Sequence, residues 1–277
     1  MDLHPDFAIV KVDAFASTLS GPAWMKAITR EISPGMQHCE LTYLNRVDID
    51  LELARRQHHA YEQALAGLGC QLVTLPAEPD LPDSVFVEDA AIVLDKIAVI
   101  TRPGAASRRP ETASIADALR PYRELAFIEA PGTIEGGDVL RIGKVLYVGR
   151  SSRSSEAGIE QLSSIIAPYG LRVISVPVTG CLHLKSAVTQ VGAHTLLVNR
   201  HWVNPDYFEG MNFIEVHPDE PGGANALLIG EMIIYPASYK GTLARLKQQG
   251  IAVEVVDVSE VEKAEGAVTC CSLVFTV

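Results

Sequence analysis

The chain has 277 residues, 48% hydrophobic and 21% charged, a soluble globular composition that excludes disorder over most of its length. A formal net charge of −11 argues against a nucleic-acid partner, which favours a basic face. No apolar run approaches the roughly 18 residues of a membrane span. The opening Met1-Asp2-Leu3-His4-Pro5-Asp6 has neither the basic nor the apolar region of a secretory signal, so the expected compartment is the cytoplasm. Five cysteines, an odd number without a Cys-x-x-Cys pair, make a disulfide framework or structural zinc site improbable.

In chain order, Phe7–Val12 reads as a first strand, followed by a long loop through Ser33-Pro34-Gly35 that ends at Glu40–Leu44. From Asp48 to about Leu68 the apolar positions Leu51, Ala54, Tyr61, Leu65 and Leu68 predict a helix with an Arg/Gln/His-rich opposite face. Gly69 stops it, and Cys70–Leu75 is a strand. The pattern then repeats: a strand, a tight turn (Asp95-Lys96, Gly143-Lys144, Gly230-Glu231), a second strand, a helix and a third strand. The helices fall near Glu111–Leu119, Glu156–Ile166 and Thr242–Gln249, with a weak one in the third copy.

The hairpin starts Asp89, Asp138, Ser186, Asn225 and Cys270 lie 49, 48, 39 and 45 residues apart, a repeat period. The fifth unit is then split: Cys270–Val277 is its first strand, and the N-terminal strand, helix and Cys70–Leu75 complete it. The ring closes through that strand, so deleting the chain from Thr269 onward is expected to cost the fold. The alternative is an open α/β sheet of unrelated strands.

Equivalent positions in a ring of repeats face one another. That brings together Asp83-Ser84-Val85-Phe86-Val87-Glu88-Asp89, Glu135-Gly136-Gly137-Asp138, His183-Leu184-Lys185-Ser186, Gly223-Ala224-Asn225 and Thr269-Cys270-Cys271. Taken singly, each is more often a turn, a core histidine or a structural cysteine. Together, a thiol and an imidazole support nucleophilic catalysis. Carboxylates around the thiol raise its pKa unless a cationic substrate neutralises them. A guanidinium fits, since paired carboxylates hold its N–H groups while its planar carbon is attacked. Arginines at equivalent loop positions, Arg102–Arg109 and Arg150–Arg153, suit a substrate carboxylate; the alternative is solvated loop charge.

These stretches, with Gln57-His58-His59-Ala60-Tyr61, Ile100–Ala105 and Ser107-Arg108-Arg109, resemble the dimethylarginine dimethylaminohydrolases, guanidino-group-modifying enzymes of the pentein superfamily. The resemblance implies a five-bladed α/β propeller of ββαβ repeats, a single catalytic domain over residues 1–277. It implies Cys270 as nucleophile, with Cys271 on the other side of its strand, and His183 as general acid/base. Glu135 and Asp89 are implied as guanidinium holders, Glu135 also orienting His183. Asp83 and the Leu41 carbonyl, with Glu88 nearby, are implied to meet the α-ammonium, and Arg108 and Arg153 to clamp the α-carboxylate. Some relatives have Asp where Glu135 stands, and the stretch from about Asp13 to Asn45 matches least well.

The implied reaction converts N-omega-methylated arginine to citrulline and dimethylamine or methylamine, without cofactor or metal. Its partner is a small methylated arginine or arginine-like amino acid, with no nucleic acid and no membrane; a homodimer is compatible. A deiminase of arginine itself, or a hydrolase of another substituted arginine, is the nearest alternative. A binding-only pentein has no use for Cys270, His183 and Glu135 together. A metal protein is a third reading, in which zinc at the thiol–imidazole pair would block the chemistry.

Overall fold

A computed structural model describes residues 25–277. Strand β1 (Met25–Arg30) leads into an irregular stretch, then helix α1 (Leu51–Gly67) and strand β2 (Gln71–Leu75). Asp50 begins α1 by accepting the Leu53 amide, satisfying a donor that a helix start leaves open. The next unit is β3 (Ala91–Val93), β4 (Ile97–Ile100), α2 (Thr112–Leu119) and β5 (Glu124–Phe127). It is followed by β6 (Val139–Ile142), β7 (Val145–Arg150), α3 (Glu156–Ile166) and β8 (Arg172–Pro177). A single turn, α4 (Leu184–Ala187), opens the third, with β9 (Val188–Gly192), β10 (Thr195–Val198) and β11 (Asn212–Glu215). The fourth is β12 (Leu227–Ile229), β13 (Met232–Pro236), α5 (Lys240–Gln248) and β14 (Ala252–Val256). Then α6 (Ser259–Glu262) and β15 (Leu273–Thr276) end the chain.

The strands form five three-stranded sheets. In each, the first strand is antiparallel to the second, and the second is parallel to the third across a longer crossover. The fifth sheet is split as the repeat requires. β15 pairs antiparallel with β1, Met25 facing Thr276, and β1 pairs parallel with β2. This is the five-bladed α/β propeller. Apolar side chains fill the seams between neighbouring blades; Ile159, Leu162 and Ile166 of α3, for example, pack with Ile92, Val99 and Val148. Among the described residues no helix is long and apolar enough to cross a membrane.

Two sequence expectations need correction. The Phe7–Val12 strand lies outside the described residues, and the strand of the fifth blade is instead Met25–Arg30, inside the stretch read as loop. Both faces of its end are buried, so it shows no alternation; Thr29 bonds Glu62 at 2.6 Å, and Arg30 pairs with Glu78 at 3.0 Å. The polar face of α1 is partly buried. Gln57, His58 and Glu62 are buried, and the Gln57 amide ties α1 to α6 through Ser259 at 2.8 Å and the Glu260 amide at 3.0 Å. Finally, Asp89, Asp138, Ser186, Asn225 and Cys270 sit on turns, and their strands begin one to three residues later. Those turns, not the strands, hold the candidate site residues.

Candidate active site

Three of the pre-strand turns, those of Asp89, His183 and Cys270, meet at a small cavity of about 20 Å³ lined also by Asp83, Arg108 and Arg153, with Glu40 and Glu265 at its wall. That volume holds about one water molecule, so a ligand of amino-acid size enters only if the walls move. Six of the nine expected site residues line it. Glu135 lies directly behind His183, whereas Leu41 and Glu88 are not on its wall.

His183 leads into α4 with Nε2 at 2.7 Å from Glu135 Oε2, and Nδ1 is 4.0 Å from Asp89 Oδ1. Glu135, fully buried, also accepts the Gly104 amide at 3.0 Å and faces Arg153 at 3.5 Å. Behind them Asp138 accepts the Leu184 amide at 2.9 Å and the Ser151 and Ser154 hydroxyls at 2.5 and 2.6 Å, pinning the turn that carries His183. The two glycines between Glu135 and Asp138 are required by close approach. A Cβ on Gly137 would stand 2.6 Å from His183 Nδ1 and 2.8 Å from Asp89 Oδ1. Burial disfavours the charged imidazole, but Asp89, Glu135 and Asp138 outweigh it and raise His183 to about 9. Burial likewise opposes ionisation of Asp89, yet His183 and Arg108 hold it down at about 2.

Arg108 differs from a free carboxylate clamp. Its buried guanidinium donates to Asp89 at 2.7 Å, to Glu111 at 2.9 Å and to the carbonyls of Asp83 and Phe86 at 3.3 and 3.2 Å. Glu111, one turn along from Arg108, carries no motif signal, and burial raises its carboxyl to about 7 against the pull of Arg108. Arg153 reaches Thr42 Oγ1 at 3.0 Å as well as Glu135.

Cys270 lies on the turn before β15, half-buried, its amide bonded to the Ala267 carbonyl at 3.2 Å and its carbonyl to the Glu88 amide at 3.1 Å. Burial, then the Glu88 and Asp89 carboxylates, push its thiol well above the usual range. Strand alternation does not separate the two cysteines, because both are on that turn. Cys271 is buried in the core, with Sγ 3.6 Å from the Ala267 carbonyl. Glu88 also departs from expectation. Its carboxylate turns from the cavity to Lys185 at 2.5 Å and Thr269 at 2.8 Å, facing a separate axial space of about 320 Å³ lined by the first strands of four blades. Adjacent residues 88 and 89 thus look to opposite sides.

The loop bearing Leu41 covers the cavity. Leu41 packs its side chain on the core, while the Glu40 amide donates to both oxygens of Asp83 at 3.2 and 3.1 Å. Beyond it, the successive amides of Thr42, Tyr43 and Leu44 converge on the Glu265 carboxylate at 3.0, 2.5 and 2.6 Å. Glu265 has φ +59°, the left-handed region, and is the single non-glycine residue there among those described. No sequence motif marks it. A ligand atom from each of Asp89, Glu135 and His183 lies within 4.8 Å of the others, spacing suited to a divalent ion, but these groups are already paired with one another and with Arg108.

The family described as N,N dimethylarginine dimethylhydrolase, eukaryotic, matches residues 38–208. An N(G),N(G)-dimethylarginine dimethylaminohydrolase of Streptomyces coelicolor is 41% identical over 250 residues, covering 90% of this chain and 96% of that one. A solved dimethylarginine dimethylaminohydrolase of Pseudomonas aeruginosa, a cysteine-to-serine mutant complexed with citrulline, superposes with a TM-score of 0.86 at 34% identity, over 91% of this chain and 99% of that one. A second solved structure of such an enzyme, an adduct with S-methyl-L-thiocitrulline, gives the same score and identity, over 91% of this chain and 100% of that one. The chain belongs to the dimethylarginine dimethylaminohydrolase family.

Proposed function

We propose that the chain acts as one catalytic unit that hydrolyses N-omega-methylated arginine to citrulline and dimethylamine or methylamine, with Cys270 as nucleophile. The observation that carries this reading is the shared cavity: a thiol and a carboxylate-flanked imidazole line it beside the buried Asp89. The citrulline and S-methyl-L-thiocitrulline bound by two solved relatives are the product and an analogue of this chemistry.

In the resting site both His183 and the thiol hold their protons at neutral pH. A bound guanidinium neutralises the carboxylates, and the thiol releases its proton to solvent. The thiolate adds to the guanidinium carbon, forming the S–C bond. His183 gives its proton to the methylated nitrogen, the C–N bond breaks and the amine departs, leaving a planar S-alkylthiouronium on Cys270. Nε2 is held by Glu135, so Nδ1 is the nitrogen free to exchange that proton. Neutral His183 then takes a proton from water, the hydroxide adds to the same carbon, and the C–S bond breaks to release citrulline and the thiolate. Asp89 holds the guanidinium, Asp83 the α-ammonium, and Arg108 and Arg153 the carboxylate; Glu135, behind His183, and the Leu41 carbonyl, off the cavity wall, meet the substrate only once the walls have moved.

The test is citrulline release from dimethylarginine, monomethylarginine and arginine by wild type, Cys270→Ser and Cys271→Ser. Release from the methylated substrates, abolished by Cys270→Ser alone, is expected. No citrulline from any of the three overturns the reading. Release from arginine alone reassigns the chain to a deiminase.

A further inference from the structure

Asn225 stands on the turn before β12, between the turn of the third blade that carries His183 and the turn of the fifth that carries Cys270. It is 3% exposed and does not line the catalytic cavity. Its side chain joins the two neighbouring turns. Nδ2 donates to the Lys185 carbonyl at 3.1 Å and to Thr269 Oγ1 at 2.9 Å, while Oδ1 accepts the Thr269 amide at 3.1 Å. Lys185 follows His183 by two residues, and Thr269 immediately precedes Cys270.

The connection closes into a circuit. The Thr269 hydroxyl donates onward to Glu88 Oε2 at 2.8 Å, and Lys185 Nζ returns to Glu88 Oε1 at 2.5 Å. Only a primary amide supplies two donors and an acceptor on so short a side chain; aspartate loses the donors and threonine the reach. Catalysis by a thiol and an imidazole on separate blades depends on their spacing, and a shift of about 1 Å costs on the order of 100-fold. We infer that Asn225 is a positioning residue that fixes His183 relative to Cys270, touching neither the substrate nor the reacting atoms. The inference rests on the proposed reaction.

The test compares Asn225→Ala with wild type in kcat, KM and the rate at which iodoacetamide alkylates Cys270. Alkylation by a small neutral reagent needs no aligned His183, so it reads the nucleophile's turn alone. The expected result is a kcat lower by about 10- to 100-fold, as for a displacement approaching 1 Å, with KM and alkylation within about threefold. A raised KM with kcat retained, or alkylation lost in step with kcat, overturns the inference. Should Asn225→Ala not fold, Thr269 decides: Thr269→Ser keeps most of kcat and Thr269→Val does not, and equal effects of the two overturn it. A wild type that releases no citrulline refutes the proposed function; an active wild type with an unimpaired Asn225→Ala refutes only the positioning role.

Discussion

Arg108 donates Nη1 to Asp89 Oδ2 at 2.7 Å, so the protein's own guanidinium sits on the carboxylate proposed to receive the substrate's. Both residues line the small cavity. A substrate bearing both a carboxylate and a guanidinium relieves that pairing twice, drawing Arg108 toward one end while replacing it at the other. Lysine lacks the planar fork needed for both partners. Arg108→Lys is therefore expected to raise KM by at least about tenfold, with a smaller fall in kcat, measured by steady-state kinetics. Arg108→Ala leaves buried Asp89 and Glu111 without their cation and should lose about 3–5 kcal/mol in denaturant unfolding.

The raised pKa of His183 makes stability pH-dependent in a defined sense. Its folded value of about 9 exceeds the ordinary 6.5, so its contribution is complete below pH 6.5 and is lost as pH rises through about 9. In Cys270→Ser, which removes the thiol's own titration, unfolding free energy should fall across that window. Adding Glu135→Gln, which removes the carboxylate at 2.7 Å, should shrink the fall. Nuclear magnetic resonance of His183 should place its midpoint near 9; titration at or below 6.5 contradicts the assigned electrostatics.

Glu265 separates backbone strain from loop closure. Glu265→Ala keeps the unfavourable φ of +59° and loses the carboxylate that gathers three loop amides. It should melt below wild type and show a raised KM. Glu265→Gly loses the same contacts but accepts that φ freely. Its KM should rise as much while its melting temperature exceeds that of Glu265→Ala. Faster proteolysis within residues 41–46 in both variants would confirm loosening of the loop.

Gly137→Ala adds one methyl group where His183 Nδ1 and Asp89 Oδ1 already lie 2.6 and 2.8 Å from the Cβ position. Neither neighbour can give way without breaking its bond to Glu135 or Arg108. Activity should drop by about 100-fold or more, the cost of a displacement near 1 Å, while circular dichroism stays native.

The blades were readable because each hairpin pairs a β-branched run with a turn such as Gly143-Lys144, whose glycine has φ +58°. Comparing those hairpins also located Cys270, His183, Glu135 and Asp89. β1 was unreadable for a physical reason: Thr29 and Arg30 are polar yet buried, held by Glu62 and Glu78, so composition pointed elsewhere. Side-chain direction within a turn was beyond sequence too. Glu88 and Asp89 are both acidic neighbours, and only the fold aims one at Lys185 and the other at Arg108. The contacts of the covering loop depend on Glu265, whose backbone conformation nothing in its residue type predicts.

The pairing of Met25 with Thr276 joins nearly the full span of the described chain, whereas the other four sheets assemble from segments close in sequence. Bringing such distant segments together carries the largest loop-closure entropy of the described strand pairings. Both the turn with Cys270 and the loop over the cavity spring from this sheet. Asp89, Glu135 and His183 stand on the turns of the first three blades, whereas the thiol beside them belongs to the fifth, so the proposed chemistry requires the closed ring and turnover should count only molecules in which it has formed.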